Sequence, residues 1–180
     1  MRWMTTGAAV LLLAACMEAV PAGRAPSAGA GRGTGAAARP GGGSTGGTMA
    51  NGAQMVQEMA RLVNAHRAAR GCPALAWLQP AADAAQAHSA DMARRGYFDH
   101  VSPEGQQPWE RLSARGVGYR MVAENIAWTP ERGARETLQG WIESPGHRAN
   151  LENCGYTHHG IGLHEAYWTH VFITPAPVRP

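Results

Sequence analysis

The stretch WIESPGHRAN, Trp141 to Asn150, sets Glu143 and His147 four residues apart. A carboxylate and an imidazole are the side chains most used to move protons near neutral pH, and both bind divalent cations. Two more groups of these kinds stand where chemistry is open to them. His100 lies in YFDHVSPEG among turn formers, where a ring faces a cleft or solvent sooner than a core. Glu124 lies in AENIAW between apolar residues, where a buried carboxylate must find donors or accept a shifted pKa. Each also has a plain structural reading: a solvated loop histidine for His100, a carboxylate bonded to backbone N–H groups for Glu124, and a helix-terminus histidine for His147. The gaps of 24 residues from His100 to Glu124 and 23 from Glu124 to His147 permit contact without requiring it.

Other chemistries lack their motifs. The chain has no glycine-rich phosphate loop with lysine, no HExxH, no GxSxG and no pair of CxxC knuckles, so phosphoryl transfer, common zinc-protease and serine-hydrolase mechanisms have no support. The formal net charge of +3 does not indicate nucleic acid. Arg2, Arg24, Arg32 and Arg39 precede residue 50 with only Glu18 against them, which leaves 12 basic and 12 acidic residues beyond it. That part has no lysine and no basic stripe interleaved with aromatics, so no nucleic-acid partner is expected.

The elements that must position these residues begin after a leader. Met1 to Cys16, MRWMTTGAAVLLLAAC, has one early arginine, an apolar run and a small-residue exit, which reads as an export signal too short to span a bilayer. Its exit, LAAC at Leu13 to Cys16, resembles a bacterial lipobox. That resemblance implies a signal peptide over 1–15, acylation of Cys16, and a mature protein tethered to the cell-envelope membrane by lipid, to the outer membrane where there is one; plain secretion is the alternative. Residues 16–50, rich in Gly, Ala, Pro, Ser and Arg, read as a flexible linker, and residues 51–180 as the folded domain. If Cys16 carries lipid, Cys72 and Cys154 remain as a pair whose bond would stabilise the domain by about 3 to 4 kcal/mol; two buried free thiols are the other reading.

Within the domain, Met55, Val56, Met59, Leu62, Val63 and His66 recur at helical spacing from about Ala53 until Gly71. A second helix is expected from Pro80 to Arg95, where small residues (Ala81, Ala84, Ala85) predict close packing, with Gly96 as its stop. A short helix follows around Pro108 to Ala114, then an extended AENIAW segment, with a further short strand near Tyr119 to Val122. A helix from Pro130 closes at Ser144-Pro145-Gly146, and strands fall in YTHHGIGLH and YWTHVFIT. Helices first and strands late, without alternating βα units, predict an α+β fold.

An ordered series of segments, from VNAHRAARGCPALAW (Val63–Trp77) through AENIAW and WIESPGHRANLENCGYTHHGIGL to YWTHVF (Tyr167–Phe172), resembles the CAP superfamily: the cysteine-rich secretory protein, antigen 5 and pathogenesis-related domain. The resemblance covers residues 60 to 173 in the compact bacterial form. It implies a three-layer α-β-α sandwich with a small central antiparallel sheet and a cleft that gathers two histidines and up to two glutamates. The first cleft histidine falls on His100, the glutamate of the GEN-like motif on Glu124 and the second histidine on His147. The place of a second glutamate is taken by Ser144, which leaves Glu143 as an uncertain participant. Asn125 is expected to brace the Glu124 segment, and His170, the polar position of the aromatic strand, to approach the cleft.

On this resemblance, His100 and His147 would hold Zn²⁺ or another divalent cation with open, water-filled positions. Glu124 would orient or deprotonate the bound water, the basis of a metal-assisted hydrolase reading. CAP relatives include secreted defence, sterol- or lipid-binding and toxin-like proteins, so a lipid or sterol is an expected partner, with a peptide ligand or a non-catalytic envelope or extracellular interaction module as the other readings. His66 and His88 read as structural histidines. Adjacent His158 and His159 should point to opposite sheet faces.

Overall fold

The computed structural model describes residues 45–130 and 133–177, and side chains from residue 51. The signal segment, Cys16 and most of the linker lie outside the described residues. Among the described residues five helices and four strands follow in order: α1 (Thr45–Ala69), β1 (Ala76–Trp77), α2 (Gln79–Arg95), α3 (Pro108–Ser113), β2 (Tyr119–Trp128), α4 (Ala134–Glu143), α5 (Pro145–Glu152), β3 (His158–His164) and β4 (Tyr167–Pro175). The helix α1 starts eight residues before the apolar periodicity makes it visible.

The sheet order is β1-β3-β4-β2. Strands β2 and β3 each run antiparallel to β4, whereas the two-residue β1 pairs parallel with β3, Ala76 opposite His158. The expected antiparallel sheet is therefore mixed, because the chain enters β1 from α1 and returns through the whole domain before β3. AENIAW is not a short separate piece; it is the second half of one ten-residue strand, with a register irregularity between Tyr119 and Met121.

Alternation along the strands builds two cores. Ile161, Trp168 and Phe172 pack against Met59 and Val63 of α1, Leu138 and Trp141 of α4 and Leu151 of α5. Val171 and Ile173 face the opposite way, onto Ala81, Ala84 and Ala85 of α2 and Leu112 of α3. Helices on both faces of the sheet make the expected α-β-α sandwich. The small residues of α2 have the expected consequence: Cβ atoms added at Gly160 or Gly162 would fall on the backbone of Ala82 or Gln86, so helix and strand approach at main-chain distance.

Two devices tie α1 to α5 and to the segment that leads into β3. Arg67, with no exposed surface, donates to the carbonyls of Pro73, Leu151, Asn153 and Tyr156 at 2.9–3.2 Å. One guanidinium thus ties the end of α1 to α5 and to the connection into β3. Beside it Cys72 and Cys154 are joined as a disulfide, Cα atoms 4.9 Å apart.

Candidate functional site

Strand β2 is the outer strand beside β4, and its consecutive residues Glu124 and Asn125 serve opposite layers. Glu124, opposite Val171, faces α2 and α3; Asn125, opposite His170, faces α5. Gly96 ends α2 in the left-handed conformation, φ 68°, with its N–H on Met92 O. That cap turns the chain into Tyr97–His100, and the Asp99 carboxylate accepts the Val101 N–H at 2.9 Å to hold the turn.

The result is a hydrogen bond of 2.9 Å between His100 Nδ1 and Glu124 Oε1. Glu124 is almost fully enclosed, its side chain 2 % exposed. One Arg111 nitrogen, Nη2, donates to Glu124 Oε1 at 3.1 Å, to Oε2 at 2.9 Å and to the carbonyl of His100 at 3.0 Å. Burial alone would raise the Glu124 pKa. The His100 hydrogen bond and the charge of Arg111 outweigh it and hold the carboxyl below its ordinary value. Glu124 is thus ionised and accepting, so His100 Nδ1 carries the donated proton and Nε2 is the ring atom left for other contacts. The plain reading of Glu124 as a carboxylate bonded to backbone N–H groups is corrected: its donors are side chains.

His147 comes from the other layer. Pro145 does not merely stop α4; with Ser144 alone between the two helices it opens α5 as a first-turn proline, and His147 sits in that turn. Asn125 Nδ2 donates to the His147 carbonyl at 3.1 Å, and Asn125 Oδ1 accepts from Asn150 Nδ2 at 2.8 Å. Asn125 therefore braces α5, while Arg111 braces Glu124. Burial, and then the charge of His100, lower the His147 pKa, so the ring is neutral at pH 7.

Two expected members stand elsewhere. Glu143 is exposed on α4 and accepts from Gln139 Nε2 at 2.8 Å. His170 is not near the cleft polar group: it is fully buried on the face of the sheet opposite Glu124, stacked on Phe172 at 3.9 Å and 3.1 Å from His159 Nδ1 through its Nε2. The run of apolar neighbours along β4 takes it into the core.

One member escapes a reading of the sequence, and a second, His88, is the buried, bonded structural histidine that the sequence suggests. Arg111 lies in an unremarkable PWERL helix, and nothing local signals that its head is buried. His88, on the alanine-rich helix, donates through Nε2 to the Asp99 carbonyl at 2.9 Å and lies 3.9 Å from Glu124. Burial lowers its pKa, so the contact with Glu124 is polar rather than ionic. Three rings form an exposed aromatic ledge: Phe98, 51 % exposed, and Trp128, 49 % exposed, each lie 6.4 Å from Tyr167 between ring centres.

Among the described residues no group of three or more His, Cys, Asp or Glu is arranged to hold a metal ion. His100 Nδ1 is engaged by Glu124, and His147 is held through its main-chain carbonyl rather than its ring. His100 Nε2 and a neutral His147 have lone pairs to give, and Glu124 orients the first ring from behind, as carboxylates do for metal-bound histidines.

The sequence profile of the CAP, or cysteine-rich secretory protein, family matches residues 60–173. The chain is 39 % identical over 112 residues to the uncharacterized membrane protein YlbC of Bacillus subtilis. It is 36 % identical over 122 residues to the uncharacterized protein YkwD of the same organism. These matches take in 62 % and 65 % of this chain but only 32 % and 46 % of those proteins, so the chain spans a third to a half of their length. The crystal structure of an extracellular SCP-domain protein from Bacillus anthracis superposes with a TM-score of 0.70 at 35 % identity, covering 74 % of this chain and 45 % of that one. A cysteine-rich secretory protein from Staphylococcus aureus shares the fold at 18 % identity, with a TM-score of 0.58 over 68 % of this chain and 39 % of that one.

Proposed function

Because the chain belongs to the cysteine-rich secretory protein family, we propose that it is an exported CAP-domain protein whose cleft binds a divalent cation between His100 and His147. The observation that carries this reading is the bond from His100 Nδ1 to Glu124, 2.9 Å, which commits one ring nitrogen and leaves Nε2 as the donor to a metal. Two imidazoles leave several coordination positions to water or to a ligand atom, so binding is weak and exchangeable. Zn²⁺ is among the divalent ions that imidazole donors suit. When bound, it would polarise water or a ligand oxygen.

The geometry favours binding over hydrolysis by Glu124. Both carboxylate oxygens are taken, by Arg111 and His100, and its depressed pKa makes it a weak base. Glu124 then acts as a positioning group. The ledge of Phe98, Tyr167 and Trp128, which begins two residues before His100, suits a ligand with an apolar part, a lipid or a peptide. Zinc titrated by calorimetry into the chain and into the His100→Ala/His147→Ala double variant tests the site: binding should vanish in the variant, and equal binding by both would sink the reading.

Export is supported by the signal-like Met1–Cys16 segment and by the Cys72–Cys154 disulfide, a bond characteristic of oxidising compartments. The LAAC sequence at Leu13–Cys16 supports lipid attachment at Cys16 and hence tethering to the envelope membrane. Partitioning into a detergent phase should be lost in Cys16→Ser; retention there would defeat the anchor.

A further inference from the structure

A cavity of about 290 Å³ opens between α2, the turn at residues 102–106 and α3. Arg94, Arg95, Arg111 and Arg115 line it against only two carboxylates, Asp91 and Glu104. Even after Glu124, outside the cavity, is set against Arg111, one positive charge remains in excess. Among the described residues Arg115 meets no carboxylate: its two terminal nitrogens donate to the carbonyls of Arg111 and Asp83, both at 3.1 Å.

The most informative contact is between Arg95 and Glu104. Arg95 Nη1 donates to one Glu104 oxygen at 2.8 Å and Nη2 to the other, the two-point fork by which guanidinium groups recognise carboxylate and phosphate alike. Glu104 rides on the tip of a turn whose Gly105 has φ 86°, and its side chain is 65 % exposed. An exposed pair of this kind contributes little to folding, so the carboxylate can leave without disturbing the domain.

We propose that this cavity is an oxyanion site that takes a compact phosphate or carboxylate group on the fork of Arg95, with Arg115 contributing positive charge from the same wall, and that Glu104 is its internal occupant. An incoming oxyanion displaces Glu104 from the fork and draws on the uncompensated charge of Arg115. The volume suits a small anion rather than an extended chain. His88 and Arg111, which form part of the wall, also touch Glu124, so the cavity shares two side chains with the cleft.

The test is an NMR titration of the full chain with inorganic phosphate and, separately, with acetate, against chloride at matched ionic strength. At least one of the two should give saturable shifts at residues lining the cavity, and the pair of titrations tells phosphate from carboxylate. Arg95→Ala should weaken binding by about tenfold or more, and Arg115→Gln, which removes charge from the wall, by about two- to fivefold. Glu104→Gln should strengthen it about two- to fivefold, whereas Glu136→Gln, the same charge change on the exposed surface of α4, should not. Absence of saturation by either anion up to on the order of 50 mM, unchanged binding in Arg95→Ala, or equal gains in Glu104→Gln and Glu136→Gln would each overturn the proposal.

Discussion

Arg111 and Glu124 form a buried ion pair, Nη2 to Oε2 2.9 Å, with side chains 6 % and 2 % exposed, and the same guanidinium nitrogen holds the carbonyl of His100. Pair and loop are therefore one unit. Replacing Glu124 by glutamine keeps its shape but leaves the arginine charge buried without its counter-ion. Glu124→Gln should lower unfolding free energy by about 3–5 kcal/mol, against less than about 0.5 kcal/mol for Glu143→Gln on the surface. Denaturant unfolding followed by far-ultraviolet circular dichroism measures both; similar small losses would mean that Glu124 is not held as described.

The comparison of Glu124 with Arg111 shows what was legible in the sequence. Glu124 stood out because a carboxylate among apolar residues demands partners, and His100 and His147 because turn formers surround them. The order of helices and strands followed from periodicity, and the alanine stripe of α2 announced close packing. Arg111 did not stand out, since arginine on a short helix is ordinarily solvated and only the fold puts its head against Glu124. Pro145-Gly146 reads equally as a stop or as the first turn of a helix, which is why α5 was invisible. His170 was misplaced for a similar reason: alternation tells which residues share a face, not whether that face is cleft or core.

The approach of α2 to β3 depends on Gly160 and Gly162. A methyl group at either would meet main-chain atoms of α2, at Ala82 or Gln86, which cannot rotate away as a side chain would. Gly160→Ala and Gly162→Ala should each cost more than about 4 kcal/mol, at the extreme of single substitutions. Thermal unfolding of the purified variants, or failure to recover soluble protein, gives the readout; a loss below about 1 kcal/mol would contradict this packing.

Reduction of the Cys72–Cys154 bond releases residues 82 apart in sequence. On the chain-entropy account, closing a loop of that length stabilises the folded state by about 4 kcal/mol. The Cys72→Ala/Cys154→Ala variant should lose about 2–5 kcal/mol yet keep its zinc response, because neither cysteine touches His100, Glu124 or His147. Urea midpoints with and without reductant provide the measurement. An unchanged midpoint would show that the bond does not constrain the unfolded chain.

The buried pair of His159 and His170 makes acid the domain's weakness. His170 Nε2 and His159 Nδ1 lie 3.1 Å apart, and His170 Nδ1 is buried without a partner. An orphaned N–H would cost more than a bare lone pair, so the proton of His170 belongs on Nε2, donated to His159. Burial, followed by the charge of Arg67, lowers the His159 pKa to about 4; burial and the charge of His159 push His170 well below its ordinary value. In the unfolded chain both rings titrate near the usual 6.5. Between that value and about 4 the unfolded state binds the extra protons, so stability is complete above pH 6.5 and is lost as pH falls. His159 alone accounts for on the order of 3 kcal/mol across this window. Glu124, held below its ordinary 4.5, adds its loss only at lower pH, which leaves the upper window to the histidines, His147 included. Urea unfolding at steps from pH 7 to pH 4.5 should show the decline, and ¹⁵N shifts of His170 should report the Nε2–H form throughout. A flat profile, or ring titration of His159 near pH 6.5, would refute this account of the buried pair.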